Sequence, residues 1–204
     1  MIILIKAVVF DLGGVLIKWS DDPIWEYIAK KYCLDFERTK LRLDYLLAGP
    51  ESGSISYKRM FKDFFNSVGL SPPRDYKSLW VDKFEKGAKI DERVLNLVKQ
   101  LRKKYKVAAI SNIENAHAKV VRKRGWLKHF DFVLFSYRVG TVKPFGKIYK
   151  IALKKLKVSP RETVFIDNSS KNVIGARKVG INGILFKNAP QLEKDLKKYL
   201  GFYG

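Results

Sequence analysis

The sequence predicts an α/β fold: a doubly wound, Rossmann-like parallel-sheet core carrying an inserted helical cap. Three observations predict it. Short apolar runs at Ala7 to Phe10, Val107 to Ile110 and Val164 to Ile166 have the Val, Ile and Phe content of strands buried on both faces. Segments of helical periodicity lie between them, and strands alternating with helices form parallel sheets with right-handed crossovers. The stretch from about residue 18 to residue 90 differs, reading as helices with no convincing buried strand.

Each of the three runs is followed at once by a polar residue: Asp11, Ser111 or Asp167. In open parallel sheets ligands bind beyond the carboxyl ends of the strands, so these three side chains are expected at one site. Phe132 to Phe135 and Gly183 to Phe186 are two further strand candidates. Val94, Leu95, Leu97, Val98 and Leu101 form one apolar helical face with Asp91 as its cap, and Ile148 to Leu156 and Val173 to Val179 read the same way. A last helix is expected from Pro190 to Leu200. The inserted block reads as helices at Pro23 to Lys31, Phe36 to Ala48, Ser56 to Val68 and Asp75 to Lys86. Breaks are expected at Gly49-Pro50, Gly53, and Gly69 with Pro72-Pro73. The expected division is a core of residues 1–17 and 91–204 and a cap of residues 18–90, placed as a lid over the site.

At 204 residues, 47% hydrophobic and 13% aromatic, the chain can bury a sizeable core, and global disorder is excluded. The single cysteine, Cys33, excludes an intrachain disulfide and fits a reducing compartment; it reads as a buried or half-buried thiol. Lys6 interrupts the apolar start, Asp11 ends it, and no small-residue cleavage site follows, so no secretory signal is expected. No run has the length of a membrane span, and a cytoplasmic protein is expected. The net charge of +21 is spread through nearly every helical segment. It forms no compact stripe with interleaved aromatics, so it reads as a lysine-rich solvated surface and no nucleic-acid partner is expected. Such a field would steer anionic phosphoesters toward the site.

The strongest segment is Val8-Val9-Phe10-Asp11-Leu12-Gly13-Gly14-Val15-Leu16. A carboxylate at the end of a buried strand needs a metal, a lysine or backbone N–H groups nearby, because desolvating an unpaired charge is costly. Taken alone, such an aspartate equally reads as a turn cap. Ile110-Ser111-Asn112 places a hydroxyl at the next strand end. Thr141-Val142-Lys143-Pro144 sets a lysine before a helix whose first position suits proline. Val164 to Asp167, followed by Asn168-Ser169-Ser170-Lys171-Asn172, supplies an acidic strand end and a polar turn.

These four segments, in this order, resemble motifs I to IV of the haloacid dehalogenase superfamily. The form Phe10-Asp11-Leu12-Gly13-Gly14-Val15 is similar to the small-cap, sugar-phosphate-type phosphatases with a helical insertion, and Glu51-Ser52-Gly53-Ser54-Ile55-Ser56 resembles a turn found in their caps. The resemblance covers nearly the whole chain. It implies Asp11 as a nucleophile forming an aspartyl-phosphate, Ser111 as a phosphoryl hydrogen-bond donor and Lys143 as the neutralising cation. It implies substrate contacts from the Gly13-Gly14 loop, Asn112 and Trp19, and a Mg²⁺ held by Asp11, the Gly13 carbonyl and the turn of Asp167 and Asn168. The expected activity is a Mg²⁺-dependent phosphomonoesterase acting on a small phosphorylated metabolite.

The resemblance departs from the commonest pattern at two positions. Most phosphatases of the superfamily carry an aspartate two residues after the nucleophile to protonate the leaving oxygen; here that residue is Gly13, as in the subgroup it resembles. General acid catalysis is typically worth ~10²–10⁴-fold. The glycine therefore implies a slow enzyme, an acid borrowed from elsewhere, or a good leaving group. Asn168 stands where an aspartate usually binds the metal; its amide oxygen can ligate but brings no charge. Rival readings are a metal-independent 2-haloacid dehalogenase, which needs no acid at residue 13, and a non-catalytic phosphate- or nucleic-acid-binding protein on the same fold. Lys18 and Trp19 follow motif I closely and could face substrate or pack between cap and core. Arg42 reads as solvated, and His117 and His129 as structural.

Overall fold

The computed structural model describes residues 4–200. Five parallel strands form one sheet: β1 (Ala7–Phe10), β4 (Lys106–Ser111), β5 (Phe132–Phe135), β6 (Thr163–Asp167) and β7 (Asn182–Leu185), in the order β5-β4-β1-β6-β7. The period of two decides what each strand residue packs against. Val8, Phe10, Val107, Ala109, Val164 and Ile166 join a core with α5 (Glu92–Leu101), α6 (Asn115–Lys123) and α10 (Ala189–Leu200). Ala7, Val9, Ala108, Ile110 and Phe165 point the other way, against α8 (Gly146–Leu156) and α9 (Ser170–Lys178). The sheet is therefore covered on both faces, which is why its strands are continuously apolar. The crossovers bring the ends of β1, β4 and β6 together at one edge.

The segment after β1 builds a different structure. Helices α1 (Asp22–Lys31), α2 (Phe36–Ser52) and α3 (Tyr57–Ser67) share a third apolar cluster, with Trp25, Leu43, Phe61, Phe64, Phe65 and Trp80 fully buried. Trp25 stacks on Trp80 with centroids 5.5 Å apart and donates its indole N–H to Asp44 at 2.9 Å. Such ring pairs contribute about 0.5–1.5 kcal/mol beyond their area. Residues 76–87 are helical, opened to a π-helical turn at Ser78–Asp82 and tightened again in α4 (Lys83–Gly87). Asp75 caps this run by accepting from the Ser78 N–H. The base of the block is closed by a two-stranded antiparallel ladder, β2 (Ile17–Lys18) with β3 (Lys89–Ile90), reinforced by the Lys18–Asp91 ion pair at 2.9 Å.

The structure corrects four local expectations. Gly49-Pro50 does not end α2: only one late helical hydrogen bond is forfeited, and the Gly49 carbonyl is capped by the Ser54 N–H and the Ser52 and Ser54 hydroxyls. Termination falls at Gly53, whose φ of +76° and close approach to the Tyr137 carbonyl admit no side chain. The ladder β2/β3 is absent from the sequence reading because two residues per strand give no period to detect. Helix α8 starts at Gly146, after a short α7 (Ser136–Val139) and a loop in which the Lys143–Pro144 peptide is cis; Pro144 is not its first position. Cys33 is exposed at a φ of +52° just past α1, not buried. Among the described residues no helix is long and apolar enough to cross a membrane.

Candidate active site

Asp11 follows β1 directly, its N–H still bonded to the Ile166 carbonyl at 2.8 Å, so the sheet itself fixes its backbone. Its carboxylate is nearly buried and meets the Lys143 ammonium at 2.5 Å; the same ammonium meets Asp167 Oδ2 at 2.6 Å. Three charged groups are thus packed at the end of β1 and β6, and Lys143 is 3% exposed. Burial pushes Asp11 up to about 7, against the pull of Lys143 and with the repulsion of Asp167. Burial disfavours the Lys143 cation, but the two carboxylates outweigh it and raise its pKa. Lys143 therefore stays charged, which is what a group neutralising a nucleophile and a phosphoryl oxygen must do.

The supports are specific. Asn112 clasps the Lys143 backbone, its Oδ1 accepting from the Lys143 N–H at 2.8 Å and its Nδ2 donating to the Lys143 carbonyl at 3.0 Å. Asn112 lines the cavity, but its amide is engaged in positioning Lys143, which differs from the direct substrate contact expected of it. Asp167 is fully held: Ser169 N–H donates to Oδ1 at 2.8 Å, Asn172 Nδ2 reaches both oxygens, and Lys143 takes Oδ2. Gly14 sits at φ +78°, and a Cβ there would come within 2.4 Å of the Asn168 amide. The Asn168 side chain thus lies across the motif I loop at Gly14.

A cavity of about 200 Å³ opens beside the residues that flank this cluster. Leu12, Gly13, Ser111 and Asn112 form its floor; Trp19, Asp21, Leu47, Glu51 and Trp80 close it from the helical block. Trp19 is wedged against Gly87 and edge-on to Phe84, and donates its indole N–H to Asp21 at 2.8 Å. It serves packing and cavity wall together. Lys18 points instead to Asp91, away from the cavity. His117 is sandwiched between Trp80 and Phe84 at 4.3 and 4.0 Å, with Nε2 3.1 Å from the Trp80 carbonyl; burial lowers it to about 4, so it is neutral.

The oxygens near Asp11 suit a hard cation. They are the Asp11 carboxylate, the Gly13 carbonyl of a loop whose hydrogen bonds use Leu12, Gly14 and Ile17, and the Asn168 amide. With both Asp167 oxygens hydrogen-bonded, its share in a metal shell would run through water. No group of three His, Cys, Asp or Glu side chains suited to a metal occurs among the described residues, so most of the ligand charge would come from Asp11 and the substrate.

A family model for haloacid dehalogenase-like hydrolases matches residues 5–180. The chain belongs to that family. Rat (Rattus norvegicus) bifunctional epoxide hydrolase 2 is 39% identical over 36% of the chain, a match that spans 13% of that much longer protein. The D-ribitol-5-phosphate phosphatase of Bacteroides thetaiotaomicron is 24% identical over 95% of the chain and 97% of its own length. A family enzyme of B. thetaiotaomicron, solved in complex with magnesium and inorganic phosphate, superposes with a TM-score of 0.70 at 26% identity, covering 90% of this chain and 94% of that one. This haloacid dehalogenase-like hydrolase thus has phosphatases among its relatives. The sequence reading brought Asp11, Ser111, Lys143 and Asp167 to one edge and missed Asp21, Glu51, Trp80 and Glu114. A faint signal existed for Glu51, in the cap turn that begins with it.

Proposed function

We propose that this hydrolase is a Mg²⁺-dependent phosphomonoesterase acting on a small phosphorylated metabolite through an aspartyl-phosphate on Asp11. The observation that carries the reading is a nearly buried carboxylate paired with Lys143 at 2.5 Å, next in the chain to Leu12 and Gly13, which line a cavity together with Ser111. Residues 18–90 act in this reading as the cap that excludes water and selects the substrate. Asp11 attacks phosphorus in line with the departing oxygen, and the Ser111 hydroxyl and Lys143 hold the phosphoryl oxygens. Asp167 and Asn112 keep Lys143 in place. Mg²⁺, held by Asp11, Gly13 and Asn168, would offset charge on the transferring group when bound. Water then cleaves the acyl phosphate and restores Asp11.

The relative active on D-ribitol 5-phosphate, and the Asp21, Glu51 and Ser111 groups that punctuate a largely apolar cavity lining, favour a polyol or sugar phosphate as the metabolite. The surface charge of +21 would speed capture of such a dianion, and the exposed, unpaired Cys33 suits a reducing cytoplasm. The test is phosphate release from p-nitrophenyl phosphate and a panel of sugar phosphates, with Mg²⁺ or with EDTA, by wild type and Asp11→Asn. Turnover that needs Mg²⁺ and falls by ~10⁴-fold or more in Asp11→Asn is expected. Halide release from 2-haloacids without metal, and no phosphate release, would replace this reading with a dehalogenase.

A further inference from the structure

Breaking an alkyl phosphate ester leaves an alkoxide oxygen that needs a proton, and Gly13 has none to give. A Cβ at residue 13 would meet no atom within 4 Å, so that side of the nucleophile is open to groups presented from the cap. Three carboxyl groups line the cavity with Gly13 and Ser111: Asp21, Glu51 and Glu114. Two are engaged. Asp21 accepts the Trp19 indole N–H, and Glu114 accepts the Trp80 indole N–H and the N–H groups of Ala116 and His117, capping α6. The Glu51 carboxyl has no hydrogen-bond partner among the described residues, while its backbone carbonyl is fixed to the core by the Ser136 hydroxyl at 2.5 Å. Ser136 is itself bound to the Ile113 N–H, next to Ser111 and Asn112. The next turn is locked by Gly53 against Tyr137. Glu51 is thus a free acid on an anchored backbone.

We propose that Glu51 is the general acid of the reaction, supplying from the cap the proton that residue 13 does not. This rests on the phosphomonoesterase reading. As an Asp11 oxygen bonds to phosphorus and the P–O ester bond breaks, the Glu51 carboxyl gives its proton to the departing oxygen, yielding an alcohol, the aspartyl-phosphate and a Glu51 carboxylate. That carboxylate then takes a proton from the water that attacks the acyl phosphate, releasing hydrogen phosphate and restoring both acids to their starting states. The surroundings support the protonated form. Burial, then the charges of Asp21, Asp11 and Asp44, raise Glu51 to about 8, with Lys143 alone opposing. Glu114 stands on the same wall, its own pKa raised by burial, and the neutral His117 brings no charge.

The experiment compares wild type, Glu51→Gln and Glu51→Asp on phosphate monoesters ordered by leaving-group acidity, from p-nitrophenyl phosphate to D-ribitol 5-phosphate. Glu51→Gln should lose kcat by about 10²–10⁴-fold on the alkyl ester and by at least tenfold less on the nitrophenyl ester, whose anion leaves without a proton. The wild-type rate should fall as pH rises past about 8, the pKa of Glu51. That alkaline limb should vanish in Glu51→Gln and return with part of the activity in Glu51→Asp. Equal loss on both esters, or a change in KM alone with kcat kept, would overturn the assignment. If wild type releases phosphate from no ester, the phosphomonoesterase reading fails first and takes this proposal with it; turnover with a flat leaving-group dependence sinks Glu51 alone.

Discussion

Two groups of acids adjoin the Leu12-Gly13 loop, a core wall at the strand ends and a cap wall in the cavity lining, and they are built differently. The core wall sets Asp11 and Asp167 against Lys143, with ammonium-to-carboxylate distances of 2.5 and 2.6 Å. The cap wall sets Asp21 and Glu51 against aromatic rings, a single indole N–H and no cation of its own. Burial raises the pKa of Asp11, Asp21 and Glu51, and Lys143 works against it at both Asp11 and Glu51, but only Asp11 is paired with that ammonium. One residue type can therefore supply a nucleophile on one side and a proton donor on the other, because environment and not identity sets the charge state.

The largest expected effect comes from removing the cation that distinguishes the walls. Lys143→Met leaves Asp11 and Asp167 buried with no counterion, and breaking such a pair costs about 3–5 kcal/mol. The sign with pH follows. Without the ammonium the folded pKa of Asp11, already raised to about 7, rises further, so stability is lost as pH increases and the penalty is greater at about pH 8 than at about pH 5. Glu51→Gln replaces a group that has no cation partner and should cost much less stability. Urea unfolding of the two variants at both pH values is the measurement. Equal penalties would erase the difference between the walls.

Legibility followed the same division. The core was readable because β1, β4 and β6 are short runs buried on both faces, and each ends in one polar residue that the parallel topology must bring to a common edge. Lys143 was readable only through its order among the motifs, since nothing local separates it from the other basic residues of so cationic a chain. The cap wall was hidden for a physical reason. Asp21 and Glu51 come from the start of α1 and the end of α2, thirty residues apart in sequence, and only the packing of α1, α2 and the Trp80 turn brings them together. The Gly49-Pro50 pair also misled: proline disfavours a helix interior, but near the last turn only one helical bond is lost, and the Ser52 and Ser54 hydroxyls cap the Gly49 carbonyl at the helix end.

A smaller effect sharpens the core wall. Asn168 lies over Gly14 and offers a neutral oxygen where a carboxylate would add a charge. Asn168→Asp should lower the Mg²⁺ concentration for half-maximal rate by roughly tenfold, about 1.4 kcal/mol of added attraction. Steady-state rates titrated with Mg²⁺ read this directly. An unchanged titration would remove Asn168 from the metal shell and leave Asp11 as its principal protein ligand.

The smallest effect tests the cap wall through stability alone. Asp21 and Glu51 have folded pKa values of about 6 and about 8, above the ordinary 3.8 and 4.5. For a raised acid the unfolded chain binds fewer protons than the fold, so stability is full below the unfolded pKa and drains as pH rises through the folded one. Asp11, at about 7, adds the same sign. His117 runs the other way: lowered to about 4 from 6.5, it withdraws stability as pH falls through that interval and is silent above it. The window from about pH 6.5 to about pH 8 is therefore where the acids act unopposed, and wild-type, metal-free protein should lose stability steadily across it. Glu51→Gln removes one of the two groups still titrating there and should flatten the slope, leaving what Asp11 contributes. Urea midpoints taken across the window decide it. A slope parallel to wild type means that Glu51 is already ionised, and the two walls then carry the same charge.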